Sequence, residues 1–558
     1  MAEVFHPSLL LTAAVAGVAT HIVYFQRCEY TRHMRTLVWL FLGAIAAGPL
    51  LLARFGAASI TACILTNTAL IGTFVTATIL STLFYRLFLN PLNRFPGPYL
   101  ARLSNFWIAF HVGKDLNHHL KLEALHRQYG SIVRVGANRL SIIHPDVIDA
   151  GLKNDSVASK GPSYDHDHPH SNLHGLRDKK VHDKLRNNVW APAFSDRALR
   201  EYEPQVRVFV DKVLAQIAKR EGQPMNLSMW FVLFSFDVMW ALAFGKYYGY
   251  IDAGERHEMQ NILDNAMAVL GLSLPQWFMR LLRMLPGDST GHFKFVRYTN
   301  SELEDSVRNN FAQKDDAELK LPPGKVISSY LLEHYKKAPN PETNLMFQSD
   351  ARLIVVAGSD SVATTTTFLF HELAKHPEIV SRIREDIRQI LGDRSVEEYT
   401  DADGVRSKYL NGVINEALRL YPPSPAGVNR DTPPEGMRVG DVYIPGNVNF
   451  NMPGWITGRD ESIYVRAHEL IPERWYSQPE LIKNRGAYAP FARGSWGCIG
   501  KNLALMELRS MTANVLLRYD MRMAPGEDGW RLQHKSQDHG MMCLAPFEVV
   551  FTPVGANG

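Results

Sequence analysis

Pro490-Phe491-Ala492-Arg493-Gly494-Ser495-Trp496-Gly497-Cys498-Ile499-Gly500 places one cysteine on a loop bracketed by three glycines. Gly494, Gly497 and Gly500 carry no side chain, so the backbone around Cys498 is almost bare and a large flat group can approach its sulfur. Phe491 offers an aromatic face beside it. After Gly500 the pattern turns helical, with Leu503, Leu505 and Met506 apolar and Lys501, Glu507 and Arg509 polar. Cys498 therefore precedes a helix N-terminus, where backbone N–H groups and the helix dipole favour a thiolate. A thiolate on a loop open on one side suits an axial iron ligand that pushes electron density onto bound oxygen.

The rest of the chain is compatible with a large enzyme. It has 558 residues, 46% hydrophobic and 21% charged, enough to bury a sizeable core. The net charge of +4 is scattered and mild, which argues against nucleic acid as a partner. Cys28, Cys63, Cys498 and Cys543 show no paired spacing, so the thiols are expected to stay reduced rather than form a disulfide scaffold.

The first ninety residues differ from the remainder of the chain. Ser8 to Phe25, Leu37 to Leu52 and Ala57 to Phe84 are apolar stretches separated by basic residues. The third exceeds the ~20 residues that span a bilayer, and the first two sit near the lower limit. Arg27, Arg32 and Arg35 come after the first stretch, Arg54 after the second, and Arg86 and Arg94 after the third. The positive-inside rule then predicts three spans with the N-terminus outside, and the 26–36 loop and everything after the third span in the cytosol. The alternative is that only the third stretch spans. Pro91-Leu92-Asn93-Arg94-Phe95-Pro96-Gly97-Pro98 reads as a stiff, extended connector, because proline fixes φ and removes donors. The expected organisation is an anchor over 1–90, a hinge over 91–100 and a catalytic domain over 101–558.

From Ala101 onward long helical patterns dominate, with few strands. Ser131–Val135 and Arg139–Ile143 flank Gly136-Ala137-Asn138 as a hairpin, and a helix begins in 145–150. A long helix is predicted over 346–376, ending before Pro377. Within it lies Ala357-Gly358-Ser359-Asp360-Ser361. The Ala-Gly pair permits close approach to the helix backbone, and an acid beside a hydroxyl can pass protons. Thr364 to Thr367 read as packing residues with hydroxyls bonded back to the helix. Glu416 and Arg419 are three apart on one helical face, and His182 and Arg186 are four apart on another.

The Cys498 loop resembles the haem-binding signature F-x-x-G-x-R-x-C-x-G of the cytochrome P-450 monooxygenases. Phe491, Gly494, Cys498 and Gly500 match, while Trp496 stands where the family has an arginine on a haem propionate. The indole can still donate one neutral hydrogen bond. Ala357–Ser361 resembles the oxygen-activation motif A-G-x-D-T, with Ser361 in place of threonine. Glu416-x-x-Arg419 followed by Pro472-Glu473-Arg474-Trp475 resembles the family's E-x-x-R and P-E-R-F pair, which implies a buried structural triad of Glu416, Arg419 and Arg474. His182-x-x-x-Arg186 resembles the W/H-x-x-x-R propionate motif, and Pro91–Pro98 the proline-rich hinge of membrane-bound members. The motifs occur in family order from Pro91 to Thr552.

This resemblance implies a mainly α fold with a minor β-sheet region behind an N-terminal transmembrane anchor. It implies heme b with Cys498 as axial ligand, proton delivery by Asp360 and Ser361, and insertion of one oxygen atom from O2 into a lipophilic substrate. It further implies an NADPH-dependent cytochrome P-450 reductase docking near Arg493 and Lys501, an endoplasmic reticulum location facing the cytosol, and a tailoring step in fungal secondary metabolism of an alkaloid, terpenoid or polyketide. Ser424–Val428 and Gly540–Leu544 are expected to line the substrate cavity. Tyr164-Asp165-His166-Asp167-His168-Pro169-His170 with His174 reads as a polar loop over that cavity rather than a metal site. Two rivals remain open at this point: a haem-thiolate isomerase or dehydratase that needs no reductase, and a non-catalytic haem-binding membrane protein.

Overall fold

The computed structural model describes residues 7–55, 59–165, 171–285, 287–288, 291–311, 321–322, 324–337 and 339–555. It divides into two compact units. The first comprises 1–109, 133–140 and 273–287, and the second 110–132, 141–272 and 288–558.

In the first unit the three apolar stretches form helices Pro7–Thr20, continued by a π turn His21–Phe25, then Met34–Phe55 and Ile60–Phe84. All three are long and apolar enough to cross a membrane. Their mutual packing is built from small and polar residues, which is how helices associate where lipid is as apolar as leucine. A Cβ at Gly17 would lie 2.4 Å from the Phe74 carbonyl oxygen. Thr78 donates to Gly17 O at 3.1 Å, and His21 Nδ1 meets Ser81 Oγ at 2.8 Å. Pro49 interrupts the second helix. It has no N–H to give the Ile45 carbonyl, and Asn67 of the third helix donates to Ala44 O and Ile45 O instead, at 3.2 and 3.4 Å.

The connector differs from the extended segment expected. Pro91–Arg94 and Tyr99–Arg102 are 3₁₀ turns. Asn90 accepts from the Leu92 N–H at 2.8 Å and Pro91 takes the first helical position, where its fixed φ suits a turn. Pro96 O accepts from the Arg134 N–H at 2.7 Å, and Gly97, at φ +154°, approaches the Arg134 backbone so closely that a Cβ would collide with it. The prolines therefore shape a docked segment, not a free rod. The hairpin forms from strands Ile132–Gly136 and Arg139–Ile142.

The second unit is mainly helical. Its axis is the 35-residue helix Pro341–Lys375, opened by an Asn340 capping box with Pro341 at the first position and closed before Pro377. It packs along Leu227–Phe244, a helix apolar on every side. Both are long enough to span a bilayer, yet the apolar windows are 89% buried inside the protein in the shorter helix and 67% in the longer, against 6–11% for the three N-terminal helices. They are core helices. Minor sheet elements flank them: Val428–Asp431 pairs antiparallel with Asn449–Met452, and Gln537–Asp538 with Met542–Cys543.

The central helix is pinned to its neighbours by one buried carboxylate. Asp350 accepts from the Leu173 backbone N–H at 2.8 Å, from Trp190 Nε1 at 3.1 Å and from the Tyr335 hydroxyl at 2.7 Å. These donors come from three separate segments, so the loop, the turn after Lys179–Leu185 and the helix Ile327–Tyr335 are registered on the same point.

Candidate active site

The Cys498 loop is closed by backbone bonds: Cys498 N–H donates to Phe491 O at 2.7 Å and Gly497 N–H to Gly494 O at 3.0 Å. Gly494 sits at φ +60°, and a Cβ there would meet Leu152 O and Asn154 Oδ1 at 2.7 Å, so only glycine fits. Beyond Gly500 the helix Lys501–Arg518 starts. Cys498 is exposed at its surface but set in a recess walled by protein. Burial pushes its thiol up, opposed by the Gly500 N–H and by the charges of Arg186 and Lys501. The helix terminus alone therefore does not make the thiolate, and desolvation outweighs it. A bound metal would, since a coordinating thiol is deprotonated outright.

Beside the cysteine, Trp496 is surrounded by basic side chains. Lys160 Nζ lies 4.4 Å and Arg430 Cζ 5.6 Å from its ring, and the His182 ring centre is 4.3 Å away. Arg186 donates to Gly497 O at 2.6 Å. The nearby carboxylate, Asp183, is already engaged by Lys179 at 2.8 Å and His182 at 3.1 Å. Lys160 and Arg430 are both buried, and Arg430 Nε has no hydrogen-bond partner among the described residues. Burial first, then Arg430 and Arg186, lower the Lys160 pKa to about 6, and burial first, then Lys160, lowers His182 to about 4. Buried like charges with an orphan N–H call for an anion. The carboxylates of a haem meet that demand, so this donor set fits a haem whose iron faces Cys498.

On the central helix Asp360 makes no hydrogen bond among the described residues, and its pKa is raised to about 7, by burial first and then by the charge of Asp264. Ser361 donates to Ala357 O at 2.9 Å. Ala357 is exposed and lies within one turn of both, so this face of the helix borders open space.

The family model for cytochrome P450 matches residues 96–549. This chain belongs to the cytochrome P450 family. It is 36% identical over 552 residues to the cytochrome P450 monooxygenase lcsK of Purpureocillium lilacinum, covering 97% of this chain and 98% of the relative. It is 35% identical over 563 residues to the tryprostatin B 6-hydroxylase of Neosartorya fischeri, covering 99% and 100%. Similarity to the cytochrome P450 monooxygenase notG' of Aspergillus versicolor is also 35%, over 548 residues, covering 98% of each chain. The protein is thus a P450 monooxygenase, a haem-thiolate oxidoreductase that acts on a small molecule with O2.

Elsewhere in the P450 the charge triad is fully buried. Arg419 meets Glu416 through two bonds of 2.8 and 2.7 Å, and Arg474 Nε lies 3.1 Å from Glu416 Oε1 as an ion pair without hydrogen-bond alignment. Glu416 also accepts from the Trp475 indole at 2.9 Å and the Ile471 N–H at 2.8 Å. The arginines turn their remaining N–H groups onto carbonyls of 458–481, among them Gly458, Glu469, Val465 and Leu481. The network staples that meander and carries no chemistry.

Several expectations are placed differently. Gly358 does not open the helix to a cofactor, because a Cβ there would meet Met239 of Leu227–Phe244 at 2.5 Å. Its smallness serves helix packing. Arg493, expected to face a reductase, is tied to Asp149 at 3.2 Å and to Arg485 O and Tyr488 O, whereas Lys501 is exposed. The threonines bond back as expected, Thr365 to Ser361 O, Thr366 to Val362 O and Thr367 to Ala363 O, while Thr364 reaches Met542 O. His166, His168, Pro169 and His170 lie outside the described residues, and His174 holds Lys160 Nζ through its carbonyl at 2.6 Å. Sequence reasoning missed Lys160 and Arg430. A lone lysine in a loop and a single arginine on the strand Val428–Asp431 carry no motif, so neither offered a signal.

Proposed function

We propose that this P450 holds heme b with Cys498 as the axial ligand and hydroxylates or otherwise oxygenates a lipophilic substrate in a tailoring step of fungal secondary metabolism. The observation that carries it is the pairing of an open Cys498 sulfur with the buried, carboxylate-poor cluster of basic side chains Lys160, Arg430, Arg186 and His182 around Trp496 and Gly497. The haem supplies the oxygen-binding iron and its oxidising power. The chain supplies the rest. Lys160, Arg430 and Arg186 neutralise the propionates, with the Trp496 N–H as a further neutral donor. Asp360, protonated over part of the population near neutrality, holds a proton at its carboxyl, and Ser361 offers a hydroxyl beside it to pass that proton on. Glu416, Arg419 and Arg474 keep the segment behind the Cys498 loop rigid. A tryprostatin B 6-hydroxylase among the relatives supports hydroxylation as the outcome.

Residues 1–90 act as a three-span anchor in the endoplasmic reticulum membrane, 91–100 as the hinge, and 101–558 as the cytosolic catalytic domain. Electrons arrive from an NADPH-dependent reductase that docks near the exposed Lys501. The test is the carbon monoxide difference spectrum of the reduced protein in microsomes, beside Cys498→Ser. A strongly red-shifted Soret band lost in the variant is the expected result, and haem-loaded protein without that band overturns the assignment.

A further inference from the structure

A charged pair sits against the open face of the central helix. Asp264, on the helix Glu258–Gly271, pairs with Arg256 through Oδ2, and the Cys543 thiol lies 3.9 Å from the same oxygen. The other carboxylate oxygen, Oδ1, has no partner among the described residues. Asp264 is partly buried, with 20% of its side chain exposed. Asp264 raises the pKa of Asp360, helps push the Cys543 thiol up to about 12 after burial, and works against burial at His539. Those groups belong to the central helix and to the hairpin Gln537–Cys543, whose Met542 carbonyl is fixed by Thr364 at 3.3 Å. The central helix and the hairpin thus both approach Asp264, and Asp360 lies one turn of helix from the exposed Ala357.

We propose that Asp264 is a specificity residue that accepts a hydrogen bond from an uncharged N–H or O–H group on the substrate. This rests on the monooxygenase reading of the Cys498 site and narrows its substrate from lipophilic to lipophilic with one such donor. The donor is uncharged because Arg256 already balances the carboxylate. An ammonium group would meet the guanidinium and lose its own hydration without a matching gain. An uncharged N–H gives up little solvation and meets an ionised acceptor, the stronger class of hydrogen bond. A site built this way rejects analogues lacking the donor, since their binding covers the carboxylate oxygen and leaves it unpaired.

The probes are carbazole and 9-methylcarbazole, rigid lipophilic molecules in which an N–H is exchanged for an N–CH3, and the Asp264→Leu variant separates the lost donor from the added methyl. Dissociation constants come from the Soret shift of the full-length, haem-loaded protein in micelles. The wild type is expected to favour carbazole by about tenfold or more. Asp264→Asn keeps an acceptor and retains part of that preference, and Asp264→Leu loses it. Equal affinities in the wild type, absence of binding by carbazole, or a preference unchanged in Asp264→Leu overturns the assignment. The reduced carbon monoxide band of the same preparations reports the thiolate–haem centre independently, so the two readings fail separately.

Discussion

Lys160 holds its ammonium 4.4 Å above the ring of Trp496, the residue standing where P450s usually carry an arginine on a haem propionate. A basic group for that position is therefore delivered from a different segment of chain, and a propionate beside it would favour its charged form. Arg430 approaches the same ring from a strand, at 5.6 Å. The substitution at 496 relocates the basic group instead of deleting it.

Haem retention depends on that arrangement. Lys160→Ala is expected to speed transfer of haem to an acceptor such as apomyoglobin about tenfold, the loss of one charge-assisted bond. Trp496→Arg in the Lys160→Ala background should restore retention. The pH trends of the two forms should oppose each other. In haem-free protein the Lys160 pKa is lowered from 10.5 to about 6, so its stability falls as pH drops between those values. A propionate beside Lys160 raises its pKa, so the added haem affinity is full below about pH 6 and fades as pH climbs through the raised value. Retention that does not weaken above neutrality would discard this role for Lys160.

Asp360 predicts an alkaline limb in turnover. Burial and the Asp264 charge, partly offset by Arg256, raise its pKa to about 7. The proton-holding form prevails below that value and is lost above it, so kcat should decline through pH 7 to 8. Asp360→Asn should lower kcat by about 10²-fold or more and abolish that limb. A limb that persists in the variant assigns it to another group.

Ser361 bonds to Ala357 O at 2.9 Å but lacks the methyl that fixes a threonine rotamer. Its hydroxyl can therefore leave the relay geometry. Ser361→Thr is expected to reduce the peroxide released per O2 consumed, measured with reductase and NADPH. Equal release from both proteins would show that the rotamer does not govern coupling.

The Cys498 loop was legible because its chemistry is contiguous: glycines, aromatic and sulfur fall within eleven residues. The Glu416 network was legible in part, since Glu416 and Arg419 share one helical face while Arg474 could be placed only by resemblance. Lys160 and Arg430 were not, because 270 residues separate them and only folding brings both onto Trp496. Gly358 misleads for a related reason. A small residue on a helix says that something approaches, and the identity of the approaching group, here Met239, is a tertiary fact. The hinge prolines carry the same ambiguity, since a fixed φ serves a turn as well as an extended chain.

Breaking the buried triad should cost far more than any surface pair. Glu416→Ala leaves Arg419 and Arg474 charged, buried and uncompensated, a loss of about 3–5 kcal/mol. The expected outcome is protein that fails to keep haem at 37 °C. Glu416→Gln retains acceptors for the Trp475 and Ile471 donors and should fall between the two. Thermal unfolding followed at the Soret band ranks the three proteins, and an alanine variant as stable as wild type contradicts the argument.

Between the second and third N-terminal helices, both long and apolar enough to cross a membrane, Asn67 and Pro49 should prove coupled. Pro49 deprives the Ile45 carbonyl of its helical donor, and in hydrocarbon an unsatisfied carbonyl finds no water. Asn67 Nδ2 fills that role at 3.4 Å while also reaching Ala44 O at 3.2 Å. Gly48 makes the approach possible, since a Cβ there would fall 2.1 Å from Asn67 Oδ1. Asn67→Leu should therefore loosen the second helix by about 0.6–1.7 kcal/mol, the range of interhelical polar bonds in membranes. Hydrogen exchange of full-length protein in nanodiscs should show faster exchange near Ile45–Leu51. With Pro49→Ala the new N–H serves Ile45 O directly, so adding Asn67→Leu to that background should cost less than it does in wild type. Equal costs in both backgrounds would mean that Asn67 packs against the second helix without repairing the proline gap.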